Sequence, residues 1–276
     1  MFGVAMDFSS FKSRERINVW GVPFVPWTMA ETVAAIGELI KAGRPSHVIA
    51  ANTHYVMLSH ADRELQEINT RAAFIVADGM PLVWGSRVEG SPLPERVAGS
   101  DLLFEFSAEA AVKGYRFFFL GGAEGVAAEA ARRLTARYPG LQVVGMVSPP
   151  FGEWTPEEEA ELIACVRQAS PDFLVTALTM PRGDRWLAAN LEVLGVPVVF
   201  NGGAAADFAA GRVPRAPKWM QKSGTEWAFR LWHEPSRLWC RYLLDALFVA
   251  RMVAIRGWTI VWKKSPSRHA PPSMEE

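Results

Sequence analysis

From Ile17 to Phe200 the chain alternates short apolar runs with amphipathic stretches. Ile17–Val25 reads as β structure broken at Gly21-Val22-Pro23. Thr28, followed three residues later by Glu31, forms a capping box. In that motif a hydroxyl and a carboxylate satisfy N–H groups that a helix start leaves free. It predicts a helix to about Lys41, stopped by Gly43 and Pro45. Strands are predicted at His47–Ala51, Phe74–Ala77, Tyr115–Leu120, Leu141–Val147, Phe173–Leu178 and Val196–Phe200. Helices are predicted between them over 55–69, 80–88, 125–137 and 184–194. A further helix starts at a second capping box, Thr155-Pro156-Glu157-Glu158. The strand segments are rich in Val, Phe and Leu and lack polar alternation, which predicts burial on both faces. Strand and helix in repeated turn predict an α/β domain with a doubly wound, mainly parallel, Rossmann-like sheet.

From residue 212 the pattern changes to helices alone. Arg230, Glu234, Arg237, Arg241 and Asp245 recur at helical spacing, with Pro235 able to divide the run. The reading is therefore a flexible N-terminus over 1–16, an α/β catalytic domain over 17–211, a basic amphipathic helical appendage over 212–262 and a disordered tail over 263–276.

The net charge of zero hides an asymmetry. Residues 1–211 carry 17 Lys and Arg against 24 Asp and Glu, whereas 212–268 carry 12 against 3. Six of the eleven tryptophans fall at or after Trp219. An Arg- and Trp-rich appendage on an acidic body points to an anionic surface, either membrane headgroups or nucleic acid. Its bland counterpart is a solvated helical subdomain with tryptophans in its core. Asp245, Arg251 and Arg256 interrupt the longest apolar part, so it is expected to lie on a membrane rather than cross one. Two cysteines, Cys165 and Cys240, exclude a disulfide framework and a Cys-rich zinc site, and fit a reducing compartment. No basic flank precedes an apolar run at the N-terminus, so no secretory signal is expected.

Ligands of open α/β sheets bind outside the carboxyl ends of the strands. Five of these ends carry glycines or small polar groups: Asn52-Thr53-His54, Asp78-Gly79, Gly121-Gly122-Ala123-Glu124-Gly125, Thr179-Met180-Pro181-Arg182-Gly183-Asp184 and Asn201-Gly202-Gly203. Gly121–Gly125 opens a helix and can lend N–H groups to a phosphate. It is not GxGxxG, and no acidic residue ends the next strand, which argues against a dinucleotide site. There is no P-loop, no Asp-x-Asp pair, no GxSxG elbow and no histidine cluster suited to a metal. Asp78 follows Phe-Ile-Val-Ala where a strand delivers a side chain to the crevice. It reads equally as a general base or hydroxyl acceptor and as an N-cap for the segment beginning at Met80. Arg96 can clamp a phosphate or be a surface residue. His54 reads as a structural or binding group, Asp101 as a cap for the following helix, and Asp207 as a cap or loop-orienting group.

Several segments together resemble the WecG/TagA/CpsF glycosyltransferase family. They are Ala77–Trp84, Pro94–Asp101, Phe119–Gly122, Ala209–Gln221 and Glu234–Leu243, within a match running from about residue 17 to 245. The resemblance implies an inverting glycosyltransferase that needs no metal and no cofactor. Its donor would be a UDP-sugar of the N-acetylmannosamine, uronic acid or glucose type. Its acceptor would be a polyprenyl-diphosphate-linked saccharide at the inner face of the cell membrane, in cell-surface polysaccharide synthesis. By similarity Asp78 is the base, Asn52 lines the pocket, and Arg96 lies near it. Gly121, Gly122, Pro181, Asn201 and Gly202 join the substrate-binding set. Arg230, Arg237 and Arg241 meet lipid diphosphate or membrane. The reading includes an anionic membrane surface and a homo-oligomer among the partners, and no nucleic acid.

The chain departs from the family pattern twice. Ala50 stands where the family usually has Thr, and the loop usually read as Gly-x-Pro-Lys-Gln-Glu-x-Trp is Thr179–Trp186, with Gly183 for Gln and Asp184 for Glu. These changes slightly favour the rival reading, a binding module for nucleotide sugar or lipid diphosphate, against which the intact Asp78 and Arg96 motifs count. A nucleic-acid-binding protein is the third reading, permitted by the basic appendage but without a reading motif.

Overall fold

The computed structural model describes residues 12–264. The expectations for residues 1–11 and 265–276 fall outside the described residues. Residues 14–16 meet the body: Arg14 pairs with Glu31 at 2.6 Å, and Arg16 donates to the Ala73 carbonyl at 2.9 Å.

A hairpin of β1 (Ile17–Val19) and β2 (Val22–Phe24) precedes the main sheet. Its turn places Trp20, a non-glycine residue, at φ 52. That conformation is costly for a bulky side chain. It persists because Trp20 is buried and meets Phe248 edge-on, with ring centroids 5.8 Å apart.

Then follow α1 (Met29–Ala42), β3 (Ser46–Ala51), α2 (Thr53–Ala61), α3 (Arg63–Arg71), β4 (Phe74–Ala77), α4 (Met80–Val88) and α5 (Gly99–Lys113). The chain continues through β5 (Arg116–Gly121), α6 (Val126–Arg137), β6 (Gln142–Val147), α7 (Pro156–Ala169), β7 (Phe173–Ala177), α8 (Arg182–Leu194), β8 (Val198–Asn201) and α9 (Ala205–Ala209). It ends in α10 (Lys218–Ser223), α11 (Glu226–His233) and α12 (Pro235–Lys264). Both capping boxes form as the sequence predicts, at Thr28 and at Thr155. Each side-chain cap contributes about 1 kcal/mol.

Strands β3 to β8 make one parallel sheet in the order β4-β3-β8-β7-β5-β6. Side chains alternate across it, which explains the unbroken apolar runs. Phe117, Phe119, Phe173, Val175 and Phe200 pack against α1, α5 and α6 on one face. Phe118, Leu120, Leu174 and Val199 pack under α7 and α8 on the other. Near the β4 edge, Ile49 and Ile75 meet α2, α3 and the α12 residues Phe248 and Met252. The fold is therefore a doubly wound α/β domain carrying a C-terminal helical segment. Strand β6 departs from the expected two-sided burial; β4, the other edge, is buried throughout because the chain after β2 flanks it, with the Val25 N–H bonded to the Ile75 carbonyl at 2.9 Å.

One boundary differs from the sequence reading. The helix expected over 55–69 breaks at Asp62, whose carboxylate caps α3 by accepting from the Leu65 N–H at 3.2 Å and also pairs with Arg185. Pro235 does divide the basic run, as the sequence allowed: α11 stops at His233 and α12 begins at Pro235, so Arg230 lies on a different helix from Arg237 and Arg241.

Candidate active site

The five strand ends singled out in the sequence belong to β4, β3, β8, β7 and β5, which are consecutive in the sheet. They span about 19 Å at the usual strand spacing. Strand β6, whose end was not singled out, lies beyond them.

Asp78 follows β4 directly. Its backbone N–H donates to the Ala51 carbonyl at 2.9 Å, and its Oδ2 accepts from the Gly99 N–H at 3.2 Å. The helix from Met80 therefore does not use Asp78 as its cap; Gly79 holds that position without a side-chain bond. Asp78 instead serves the start of α5, beyond the Pro94–Ala98 loop. Gly99 allows the approach: a Cβ there would stand 3.2 Å from Ala50 Cβ and the Phe200 ring, and 3.5 Å from Asp78 Oδ2. The ends of β3, β4 and β8 thus meet at one point. Asp101, expected to cap α5, does not, because Ala98 is the cap residue. Its carboxylate instead pairs with Arg215 and with Arg96, at 3.4 Å from the latter.

Burial pushes the Asp78 carboxyl above the usual carboxylate range, and Glu226 adds to this. Arg96, the Gly99 N–H and Arg230 oppose the rise without reversing it. A carboxylate with raised proton affinity is suited to take a proton near neutral pH. Arg96 Nη1 donates to Glu226 Oε2 at 2.7 Å. Burial works to lower the proton affinity of Arg96, and the surrounding Glu226, Asp78 and Asp101 carboxylates more than offset it.

The remaining predicted residues divide by role. Asn52 caps α2 by accepting from the Tyr55 N–H at 3.0 Å. Gly121 and Gly122 take φ values of 100 and 80 at the end of β5, and Gly122 N–H reaches the Ala177 carbonyl at 3.1 Å. A Cβ on Gly121 would stand 3.1 Å from that carbonyl, so both backbone angle and space favour glycine. Pro181 is the residue before α8, and Gly202 N–H binds the Thr176 carbonyl at 2.8 Å. Asn201 donates to Asp184 Oδ2 at 2.9 Å and accepts from the Thr176 hydroxyl at 3.1 Å. Buried Asp184 lies 3.7 Å from His47 Nε2. Gly183 is where Asn201 fits, since a Cβ there would come within 2.4 Å of the Asn201 amide nitrogen.

The C-terminal segment closes this end of the sheet. Arg215 and Arg230 stack over Phe208 at 5.0 and 5.5 Å. The Nε groups of Arg230 and Arg241 are buried without a hydrogen bond. Burial pushes the Arg241 guanidinium below its usual range, Arg230 and Arg237 add to that, and Asp245 opposes it. Burial also raises Asp207, which sits among Arg212, Arg237 and Arg230. His54 Nδ1 lies 2.8 Å from Asp245 Oδ1, tying α2 to α12. Glu226, Arg215 and the His54–Asp245 pair were not singled out as a site from the sequence. A usable signal was present, since Glu226, Glu234 and Asp245 are the three acidic residues in 212–268. Each of them engages a basic or histidine side chain.

The model of the glycosyl transferase WecG/TagA/CpsF family matches residues 17–260. The chain belongs to this family. It is a glycosyltransferase. An N-acetylglucosaminyldiphosphoundecaprenol N-acetyl-β-D-mannosaminyltransferase from Bacillus spizizenii strain W23 is 28% identical over 206 residues, covering 75% of this chain and 78% of the relative. The enzyme of the same name from Bacillus subtilis strain 168 is 26% identical over 208 residues, covering 75% and 76%. The matched residues include the end of β4, where Asp78 stands, and the loop into α5, where Arg96 stands. Among the described residues no helix is long and apolar enough to cross a membrane.

Proposed function

We propose that this glycosyltransferase moves a sugar from a UDP-sugar of the N-acetylmannosamine, N-acetylmannosaminuronic acid or glucose type onto a polyprenyl-diphosphate-linked saccharide. Transfer proceeds with inversion, without a metal, at the inner face of the cell membrane. The observation that carries this reading is the placement of Asp78 at a strand end, under a cationic segment that contributes Arg230. The relatives' names, which specify a diphosphoundecaprenol acceptor, support the acceptor class.

In the reaction the acceptor hydroxyl oxygen attacks the anomeric carbon as its bond to the UDP oxygen breaks. Asp78 takes the hydroxyl proton, and UDP leaves with the electron pair. The charge that grows on the leaving diphosphate needs fixed positive partners. Arg96 and Arg230, the two arginines whose charge acts on Asp78, supply guanidinium groups, and Gly121–Gly125 supplies N–H groups at the start of α6; Arg230, Arg237 and Arg241 also meet the acceptor's lipid diphosphate or the membrane. Asn52 lines the pocket beside Asp78.

The segment also offers a membrane-facing surface. Trp219, Trp227, Trp232, Trp239, Leu243 and Leu247 are exposed large apolar side chains in a region rich in Lys and Arg. Trp239, Leu243 and Leu247 follow at intervals of four and so share one stripe of α12. Such a helix lies in the interfacial plane. Mass spectrometry of a polyprenyl-diphosphate N-acetylglucosamine acceptor, incubated with the enzyme and each UDP-sugar in turn, tests the reading. One donor should add one sugar mass to the acceptor. No addition from any of the three donor types would remove it.

A further inference from the structure

We propose that Glu226 is a built-in competitor of the donor diphosphate, a residue that sets donor affinity by holding on Arg96 the place a phosphate takes when the donor binds. The proposal rests on the reading above, in which Arg96 faces the phosphates of a UDP-sugar.

The geometry comes first. Arg96 Nη1 and Glu226 Oε2 are 2.7 Å apart, and the two side chains are only 15% and 14% exposed. An anion therefore cannot reach that nitrogen while Glu226 stays. The other bond of the fork is longer, 3.4 Å from Nη2 to Asp101, and Asp101 is shared with Arg215. A carboxylate oxygen and a phosphate oxygen make the same charge-assisted bond to a guanidinium N–H, and Glu226 makes one such bond to Nη1. Glu226 is thus a chemical stand-in for the ligand.

Charge points the same way. Arg96 already has Asp78, Asp101 and Glu226 around it. A diphosphate added to three carboxylates would be strongly repelled, and of the three only Glu226 belongs to the C-terminal segment. That segment can yield locally. Glu226 opens α11, an eight-residue helix with no buried residue, and α11 starts without a side-chain cap. Gly224, two residues earlier, is buried against Met80 and Trp84, so the displacement is confined to α11 itself. Displacing the first turn of α11 would also re-aim Arg230 on the same helix. Release of Arg96 and repositioning of a second arginine would then be one event.

The sign of the effect separates competition from support. A residue that merely buttresses the site weakens ligand binding when altered, whereas a competitor strengthens it. Isothermal titration of UDP into the full chain should show Glu226→Gln binding about five-fold tighter or more than the wild type, as loss of one charge-assisted competitor implies. The gain should vanish in an Arg96→Gln background, since it acts through Arg96. Equal or weaker binding by Glu226→Gln would overturn the proposal, and so would a gain that persists without Arg96. Limited trypsin digestion of the unaltered chain gives a second measurement that needs no variant. UDP should speed cleavage after Arg237, the exposed basic residue just beyond α11, and slower cleavage there would overturn the proposal. Absence of UDP binding by every form would instead remove the donor reading itself.

Discussion

The Asp78 carboxylate and the Gly99 N–H, 3.2 Å apart, join the end of one strand to the start of a helix 21 residues further on. The proposed base is therefore also a structural acceptor, and the two roles respond differently to Asp78→Asn. An asparagine oxygen can still accept from Gly99. Burial raises the folded pKa of Asp78 above its unfolded value. A group so shifted favours the fold while protonated, and that contribution is lost as pH rises through the folded pKa. At pH 7.5, well above the unfolded pKa, the raised folded pKa thus works against folding. Asp78→Asn should melt at or above the wild-type temperature at pH 7.5, and the difference should fade toward pH 3. Thermal melts followed by circular dichroism at both pH values would check this.

The same shift predicts a pH profile. The acidic limb of kcat/KM should lie above the titration range of an ordinary aspartate, because Asp78 must lose its proton before it can accept another. Arg96 opposes the upward shift of Asp78. Arg96→Gln should therefore move the acidic limb to higher pH, besides weakening turnover. Initial rates of UDP release from about pH 4 to pH 9 would show both displacements.

A third expectation concerns the attachment of α12. His54 and Asp245 are 2.8 Å apart, 191 positions apart in sequence, and partly buried. Each of His54→Ala and Asp245→Asn should destabilise the protein by about 1 kcal/mol, with the double variant well short of the sum. Urea unfolding of the four proteins in a double-mutant cycle would measure the coupling. Strict additivity would mean that the pair contributes nothing to docking.

The exposed apolar residues of the appendage make a fourth. Trp232 is 85% exposed, so Trp232→Glu should leave folding stability within about 0.5 kcal/mol. Leu247→Glu places a charge in the Trp239–Leu243–Leu247 stripe with a similarly small effect. Both should reduce flotation with liposomes containing anionic lipid, and the double change should reduce it further. Raised salt should weaken the residual binding, because the basic residues contribute a screened attraction.

Much of this architecture was legible in the sequence. Each central strand is an apolar run because alternate side chains feed two cores, as Phe117 and Phe118 do. Thr28 and Thr155 announced their helices because capping is local chemistry. Asp78 could be placed at a strand end because Phe74–Ala77 and Gly79 bracket it. What remained hidden depended on distant partners. Asp62 could have continued a helix or capped one, and Arg185 from α8 accompanies the break. Asp101 looked like a local cap, but Asp78 already serves the start of α5, leaving Asp101 for Arg96 and Arg215. Glu226 joins Arg96 across 130 residues, a distance that no periodicity encodes. Asn201 read as a strand-end polar group, but its amide is held by Asp184 and the Thr176 hydroxyl in space that Gly183 leaves open.

The central claim is that Asp78 activates the acceptor of a glycosyl transfer. It is tested most directly by UDP release from the preferred UDP-sugar, with and without a polyprenyl-diphosphate saccharide, using wild-type protein and Asp78→Asn. The account predicts acceptor-dependent release by the wild type and a loss of at least about a hundred-fold in the variant, the lower end of what a general base contributes. Turnover by Asp78→Asn close to the wild-type rate would contradict it.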